Sequence, residues 1–180
     1  MEQLFEVVNT LLQADKKTRS RSLLVRTYKI LPLASKTGVI EFVSNTVPLT
    51  GWLGPAHKKY NPTDMPAKEF GDGMEQARRA PRSTPESVKA RWVQQLKRWH
   101  PVFRHYFTDR HKDPMSWFAM RLNYARSVAT TSIVGHVVGL GDRHLSNILL
   151  DQGTGEVVHI DFGIAFGQVS PLAFPFRLLC

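Results

Sequence analysis

The sequence predicts an α+β domain with its chemistry on loops. Three observations predict it. Apolar residues recur at helical spacing over residues 4–12, 84–108 and 113–138. Short runs rich in β-branched and aliphatic residues come in two pairs, within 23–43 and 148–160, each pair joined by turn-forming residues. A polar loop framed by glycines, 139–147, separates the last helix from the second pair.

In chain order, the first helix carries Leu4, Phe5, Val7, Val8, Leu11 and Leu12, and the polar run 13–22 ends it. A strand is expected over 23–33, with Val25, Tyr28, Ile30 and Leu31, closed by Pro32. Ser35-Lys36-Thr37-Gly38 reads as a turn, and a second strand over 39–43 completes an antiparallel hairpin. Residues 48–81 hold much glycine and proline, so a mobile linker with a single short helix is expected there. Thr84-Pro85-Glu86 then supplies a cap, a first-turn proline and an acid at the positive end of a helix running to about residue 108, bent at Pro101. Asp113-Pro114 repeats that start. The helix it opens is apolar on more than one face, through Trp117, Phe118, Leu122, Val128, Ile133 and Val137, which predicts burial all round. Strands at 148–150 and 157–160 follow, joined by a loop containing Gly153 and Gly155. No internal repeat is visible.

Composition narrows the class. Of 180 residues, 42% are hydrophobic and 22% charged, which fits a folded domain rather than a disordered chain. The apolar stretches are too short to span a bilayer and the N-terminus has no signal-peptide pattern, so no membrane partner is expected. The single cysteine, Cys180, excludes an internal disulfide and suits a reducing compartment. The net charge of +9 is concentrated in Lys16–Lys29 and Arg78–Lys112. These cations sit among apolar residues and match no nucleic-acid motif, so they are read as solvated faces, and direct DNA contact is not expected.

The chemistry-bearing segment is Gly139-Leu140-Gly141-Asp142-Arg143-His144-Leu145-Ser146-Asn147, followed by Ile160-Asp161-Phe162-Gly163. Phosphoryl transfer needs a divalent metal, oxygen ligands for it and a group that aligns the acceptor hydroxyl. Asp142 and Asn147 stand five residues apart, as in a protein-kinase catalytic loop, and the hairpin 148–160 can fold Asp161 back beside Asn147. Singly, each residue has a bland reading: a loop salt bridge for Asp142 and Arg143, a buried hydrogen-bonded ring for His144, a turn cap for Asn147. The joint pattern carries the functional reading.

The order Asp142-Arg143-His144, with Asn147 and Asp161-Phe162-Gly163, resembles the phosphatidylinositol 3-kinase superfamily. The run Tyr124-Ala125-Arg126-Ser127-Val128-Ala129-Thr130-Thr131-Ser132-Ile133-Val134-Gly135 is similar to the ATM-type branch of its protein kinases. So are Asn9-Thr10-Leu11-Leu12, Arg26-Thr27-Tyr28-Lys29 and Thr46-Val47-Pro48. The resemblance implies a bilobal kinase-like fold. Residues 1–50 would end the N-lobe, 51–83 would be a linker, and 84–180 a partial C-lobe with catalytic loop 139–147 and activation segment 161–177. It implies that Asp142 orients or deprotonates the substrate hydroxyl and His144 supports the transferring phosphate, while Asn147 and Asp161 hold Mg²⁺, with Mn²⁺ as an alternative. For ATP, Tyr28, Ile40, Leu149 and Ile160 would wall the adenine and Glu41-Phe42-Val43 would form the hinge, although core packing explains Tyr28, Ile40 and Leu149 equally well. The implied role is a nuclear Ser/Thr kinase of DNA-damage signalling, acting on protein sites followed by Gln and belonging to a larger parent polypeptide.

Such kinases place a glycine-rich loop and an ATP-binding lysine ahead of the first helix. Neither precedes Leu4 here, so the isolated polypeptide is expected to have little or no kinase activity. Two other readings stand beside this one: a phosphoinositide kinase, and a non-catalytic interaction module. Residues 161–176 contain no Lys or Arg to meet an anionic head group, which favours a protein substrate over a lipid.

Overall fold

Helix α1 (Glu2–Ala14) opens the chain in a computed structural model that describes residues 1–166. It buries Phe5, which is 1% exposed, and leaves Val7 and Leu11 in solvent. The polar run after it does not stay irregular: Asp15 caps a second short helix, α2 (Lys16–Ser20), by accepting the Lys17 and Thr18 amides.

The strand expected over 23–33 begins only at Ile30. Residues 23–29 form no ladder, and side chains take up the backbone groups of Val25 and the Tyr28 amide. Asn9 accepts from the Val25 amide and donates to the Val25 carbonyl, both at 2.8 Å, and the Tyr28 amide donates to the Glu2 carboxylate at 3.2 Å. β1 (Ile30–Ala34) and β2 (Thr37–Ile40) then pair antiparallel around Ser35-Lys36, with an irregularity between Pro32 and Ala34. Thr37 and Gly38, expected in the turn, belong to β2, whereas residues 41–43 fall outside it.

β3 (Thr46–Pro48) was not visible in the sequence. It is recruited by pairing with β4 (Ile148–Asp151), Val47 opposite Leu150, and β5 (Val157–His159) completes a three-stranded antiparallel sheet in the order β3-β4-β5. Leu150, Val157 and Val158 are at most 1% exposed, and each such side chain contributes about 1.5–3 kcal/mol relative to exposure. The β4–β5 turn is tied by Asp151, whose carboxylate accepts the Gly153 and Thr154 amides and pairs with Arg26.

Among the described residues, 1–50 together with 111–166 form one compact unit, and Gly51–Arg110 form a second. Residues 51–83, expected to be a linker with one short helix, hold most of α3 (Leu49–Tyr60) and all of α4 (Ala67–Arg79). Gly51, Gly54 and Pro55 are weak helix formers. Trp52 packs edge-on against Phe103 and Tyr106, with ring centroids 5.6 and 5.4 Å away, and that tertiary anchor outweighs local propensity. The helix expected over 84–108 is two helices, α5 (Pro85–Leu96) and α6 (Arg104–Arg110). The predicted Thr84 cap is present, with Ser87 reciprocating, but the chain breaks over 97–103 rather than bending at Pro101.

α7 (Pro114–Val137) starts at the predicted Asp113 cap and ends before Gly139, whose φ is +61°. It is not buried all round. Phe118, Ile133 and Val137 are exposed, while Ser127, Thr130 and Thr131 are buried. The reason is the close approach of the β4–β5 turn and β5. Ser127 Oγ accepts the Val157 amide at 3.0 Å, and a Cβ added at Gly155 would stand 2.8 Å from the Met120 carbonyl oxygen. Met120 is buried at the same contact, 6% exposed. Among the described residues no helix is long and apolar enough to cross a membrane.

Candidate active site

Two loops meet at the end of the β4–β5 hairpin. Residues 139–147 lead from α7 into β4, and residues 160–166 leave β5. Because β4 and β5 are antiparallel with Ile148 opposite His159, the start of one strand and the end of the other lie side by side. The Ile160 amide donates to the Asn147 carbonyl at 3.0 Å, and the Gly141 amide donates to the Ile164 carbonyl at 2.9 Å.

Asn147 is buried, and its side-chain NH₂ donates to the Asp142 carbonyl at 3.1 Å, which leaves its oxygen as the atom able to ligate a metal. Asp142 and Asp161 are exposed, and both adopt left-handed backbone, with φ of +52° and +58°. For non-glycine residues this conformation is uncommon and is concentrated at functional loops. His144 is exposed rather than buried, with Nε2 3.9 Å from Asp142 Oδ1. One carboxylate and one amide oxygen are hard donors that suit Mg²⁺, so the residues fit the metal the resemblance implies.

Arg143 connects the loops, and the sequence reading missed it. Its Nε donates to the Gly141 carbonyl at 2.8 Å, Nη1 to the Ile160 carbonyl at 2.7 Å, and Nη2 to the Asp161 carbonyl. Burial lowers its pKa, opposed by the carboxylates of Asp142 and Asp161. The signal available in the sequence was a five-donor side chain inserted between Asp142 and His144. Beneath it, Phe162 stacks on Tyr28 at 6.1 Å and meets Phe5 edge-on at 5.2 Å, so α1 supports the second loop. Tyr28 is half-buried and its pKa is raised, chiefly by burial. His159, on β5 before Ile160, is buried, and burial with the nearby Arg143 charge pushes its pKa down to about 4.

The other predicted nucleotide-pocket residues are less concentrated. Leu149 is buried in β4 opposite Val158, and Ile160 is half-buried next to Asp161. Ile40 is 65% exposed and Phe42 89% exposed at the end of the first hairpin. Glu41 is held by two 2.8 Å bonds with Lys29, its amide to the Lys29 carbonyl and the Lys29 amide to its carboxylate. Val43 is half-buried, and its carbonyl accepts the Thr46 hydroxyl at 2.8 Å. A cavity of about 520 Å³ lies instead in the second unit between α4 and α5, lined by Met65, Asp72, Gly73, Arg91 and Gln95 among others. It contains none of the predicted residues, and the paired loops with their oxygen donors are the better candidate.

Comparison with known proteins decides the family. A family model for phosphatidylinositol 3- and 4-kinases matches residues 1–179. The chain belongs to the phosphatidylinositol 3- and 4-kinase family. Within it, the chain is 52% identical over 182 residues to the serine/threonine-protein kinase TEL1 of Cryptococcus neoformans var. neoformans serotype D, covering 99% of this chain and 6% of that protein. It is 41% identical over 187 residues to the serine/threonine-protein kinase ATM of Drosophila melanogaster, covering 99% of this chain and 7% of that one. The solved FAT and kinase domain of CtTel1 superposes with a TM-score of 0.86 at 48% identity, over 92% of this chain and 12% of that chain. The chain thus spans a small fraction of the length of the kinases it matches. Its mixed helices and small sheets are those of the family's kinase fold.

Proposed function

We propose that this chain is part of the catalytic domain of a Ser/Thr protein kinase of the Tel1/ATM kind, transferring the γ-phosphoryl group of ATP to protein hydroxyls. What supports the reading is that the loop bearing Asp142 and Asn147 and the loop bearing Asp161 are bonded to each other, through Arg143 and through the Ile160 amide on the Asn147 carbonyl. Asp142 accepts the hydrogen bond of the substrate hydroxyl and takes its proton as the new P–O bond forms and the bond to ADP breaks. His144, beside Asp142, directs a ring N–H at the transferring phosphoryl oxygens. The Asn147 amide oxygen and the Asp161 carboxylate would hold Mg²⁺, or Mn²⁺ in its place. The metal, when bound, neutralises charge on the ATP phosphates. Tyr28, Ile40, Leu149 and Ile160 line the adenine, and Glu41-Phe42-Val43 form the hinge beside it.

A protein rather than a lipid substrate is supported by the names of the relatives at 41–52% identity and by the absence of Lys and Arg over 161–176. Part of that segment lies outside the described residues, so the argument rests on sequence. The resemblance further implies Ser/Thr-Gln sites, a nuclear location and a role in DNA-damage signalling.

The test uses a full-length kinase containing this segment. Asp142→Asn and Asp161→Asn are each expected to lower kcat for a Ser-Gln peptide by at least about 100-fold. Phosphoinositide vesicles should not be phosphorylated by the parent enzyme. Turnover near the parent level in either variant would overturn the assignment, and lipid phosphorylation with an inert peptide would move it to a lipid kinase.

A further inference from the structure

The geometry points to Arg143 as a positioning residue that sets the two loops carrying Asp142 and the metal-holding Asn147 and Asp161 before any ligand arrives. This inference rests on the phosphotransfer reading above and deepens it. Arg143 would pass for the charged partner of its neighbour Asp142, yet its three guanidinium nitrogens go to main-chain carbonyls from both loops: Gly141 on one, Ile160 and Asp161 on the other. These flank the two left-handed aspartates. Gly141 immediately precedes Asp142, and the Asp161 carbonyl belongs to the strained residue itself.

A left-handed residue turns its peptide groups out of the usual ladder, so the carbonyls around it need partners. One planar fork supplies three at once, in fixed directions, from a half-buried site. The guanidinium carbon also lies 5.5 Å from the Phe162 ring centroid, and Phe162 is itself wedged between Tyr28 and Phe5. Arg143 is therefore anchored from below while it fixes both loops. Its charge lies within electrostatic reach of the carboxylates of Asp142 and Asp161 without forming an ion pair with either. The outcome is a preorganised pair of loops whose oxygen donors stay available.

A lysine keeps the charge but not the planar three-point fork. Arg143→Lys and Arg143→Gln thus separate charge from geometry. Two readouts apply to the full-length kinase. The first is backbone hydrogen exchange in the metal-free protein. The Gly141 and Ile160 amides should exchange faster in Arg143→Gln, while the β4 amide of Leu150 stays protected. The second is Mn²⁺ titration by electron paramagnetic resonance with a non-hydrolysable ATP analogue. The apparent Kd should rise by about tenfold or more in Arg143→Gln, with Arg143→Lys between that variant and the parent.

Unchanged exchange at Gly141 and Ile160 with unchanged Mn²⁺ affinity would overturn the inference, as would Arg143→Lys matching the parent in both. Should Arg143→Gln also loosen Leu150, Arg143→Lys decides, since exchange limited to the two loops is required there. The functional reading fails separately. If Asp161→Asn abolishes phosphotransfer while the Arg143 variants behave as the parent, only the role of Arg143 is lost. If Asp161→Asn is active, the site itself is wrong.

Discussion

The first hairpin places Ile-Leu-Pro-Leu-Ala against Thr-Gly-Val-Ile, and the second places Ile-Leu-Leu-Asp against Val-Val-His. Both are short, aliphatic and antiparallel. Every residue of β1 and β2 is nevertheless exposed, whereas every residue of β4 and β5 except Ile148 is buried. The difference lies in what surrounds them. β3 adds a third strand to the second hairpin and α7 packs on it, while among the described residues β1 and β2 pair only with each other. Strand propensity measures the fit of a side chain to a pleated surface, and burial depends on what else packs there. The second hairpin can therefore hold the loops 139–147 and 160–166 side by side.

The largest expected contrast is in stability. Leu150→Ala should destabilise the protein by about 2–5 kcal/mol by opening a cavity around a side chain with 0% exposure. Leu31→Ala, at 59% exposure, should change it by no more than about 0.5 kcal/mol. Urea midpoints of the two variants measure this, and similar losses would mean the first hairpin is as buried as the second.

Acid should also separate the hairpins. The pKa of His159 is depressed from 6.5 to about 4, so the neutral ring is favoured in the fold. Its contribution is present above pH 6.5 and is lost as pH falls from 6.5 through about 4, amounting to about 3 kcal/mol at most. His159→Gln should flatten the stability profile over that window, measured by denaturant unfolding at pH 7 and pH 4.5. β1 and β2 contain no ionisable side chain, so their variants should leave the profile unchanged.

The smallest contrast concerns glycine. Gly155 has φ +78°, and a Cβ there would stand 2.8 Å from the Met120 carbonyl oxygen, so Gly155→Ala should cost about 1–3 kcal/mol. Gly38 has ordinary backbone and a nearest contact of 3.2 Å to the Leu31 carbonyl oxygen. Gly38→Ala should cost less than about 1 kcal/mol, because nothing but the partner strand crowds it. Thermal unfolding of both variants checks the order.

The helix starts at Thr84 and Asp113, the turn between β1 and β2, the glycine stop after α7 and the spacing of Asp142, Asn147 and Asp161 were all legible in the chain itself. Each is a local property: a cap accepts amides two or three residues away, and a motif fixes residue types at set intervals. The tertiary structure alone decided that Val25 and Tyr28 give backbone bonds to Asn9 and Glu2, and that glycine-rich α3 is a helix because Trp52 finds aromatic partners some fifty residues on. It alone decided which face of α7 meets β5, and that Arg143 serves carbonyls on two loops instead of pairing with Asp142. Those outcomes depend on groups distant in sequence, whose approach is set by packing, and no reading of local pattern contains the distances on which they turn.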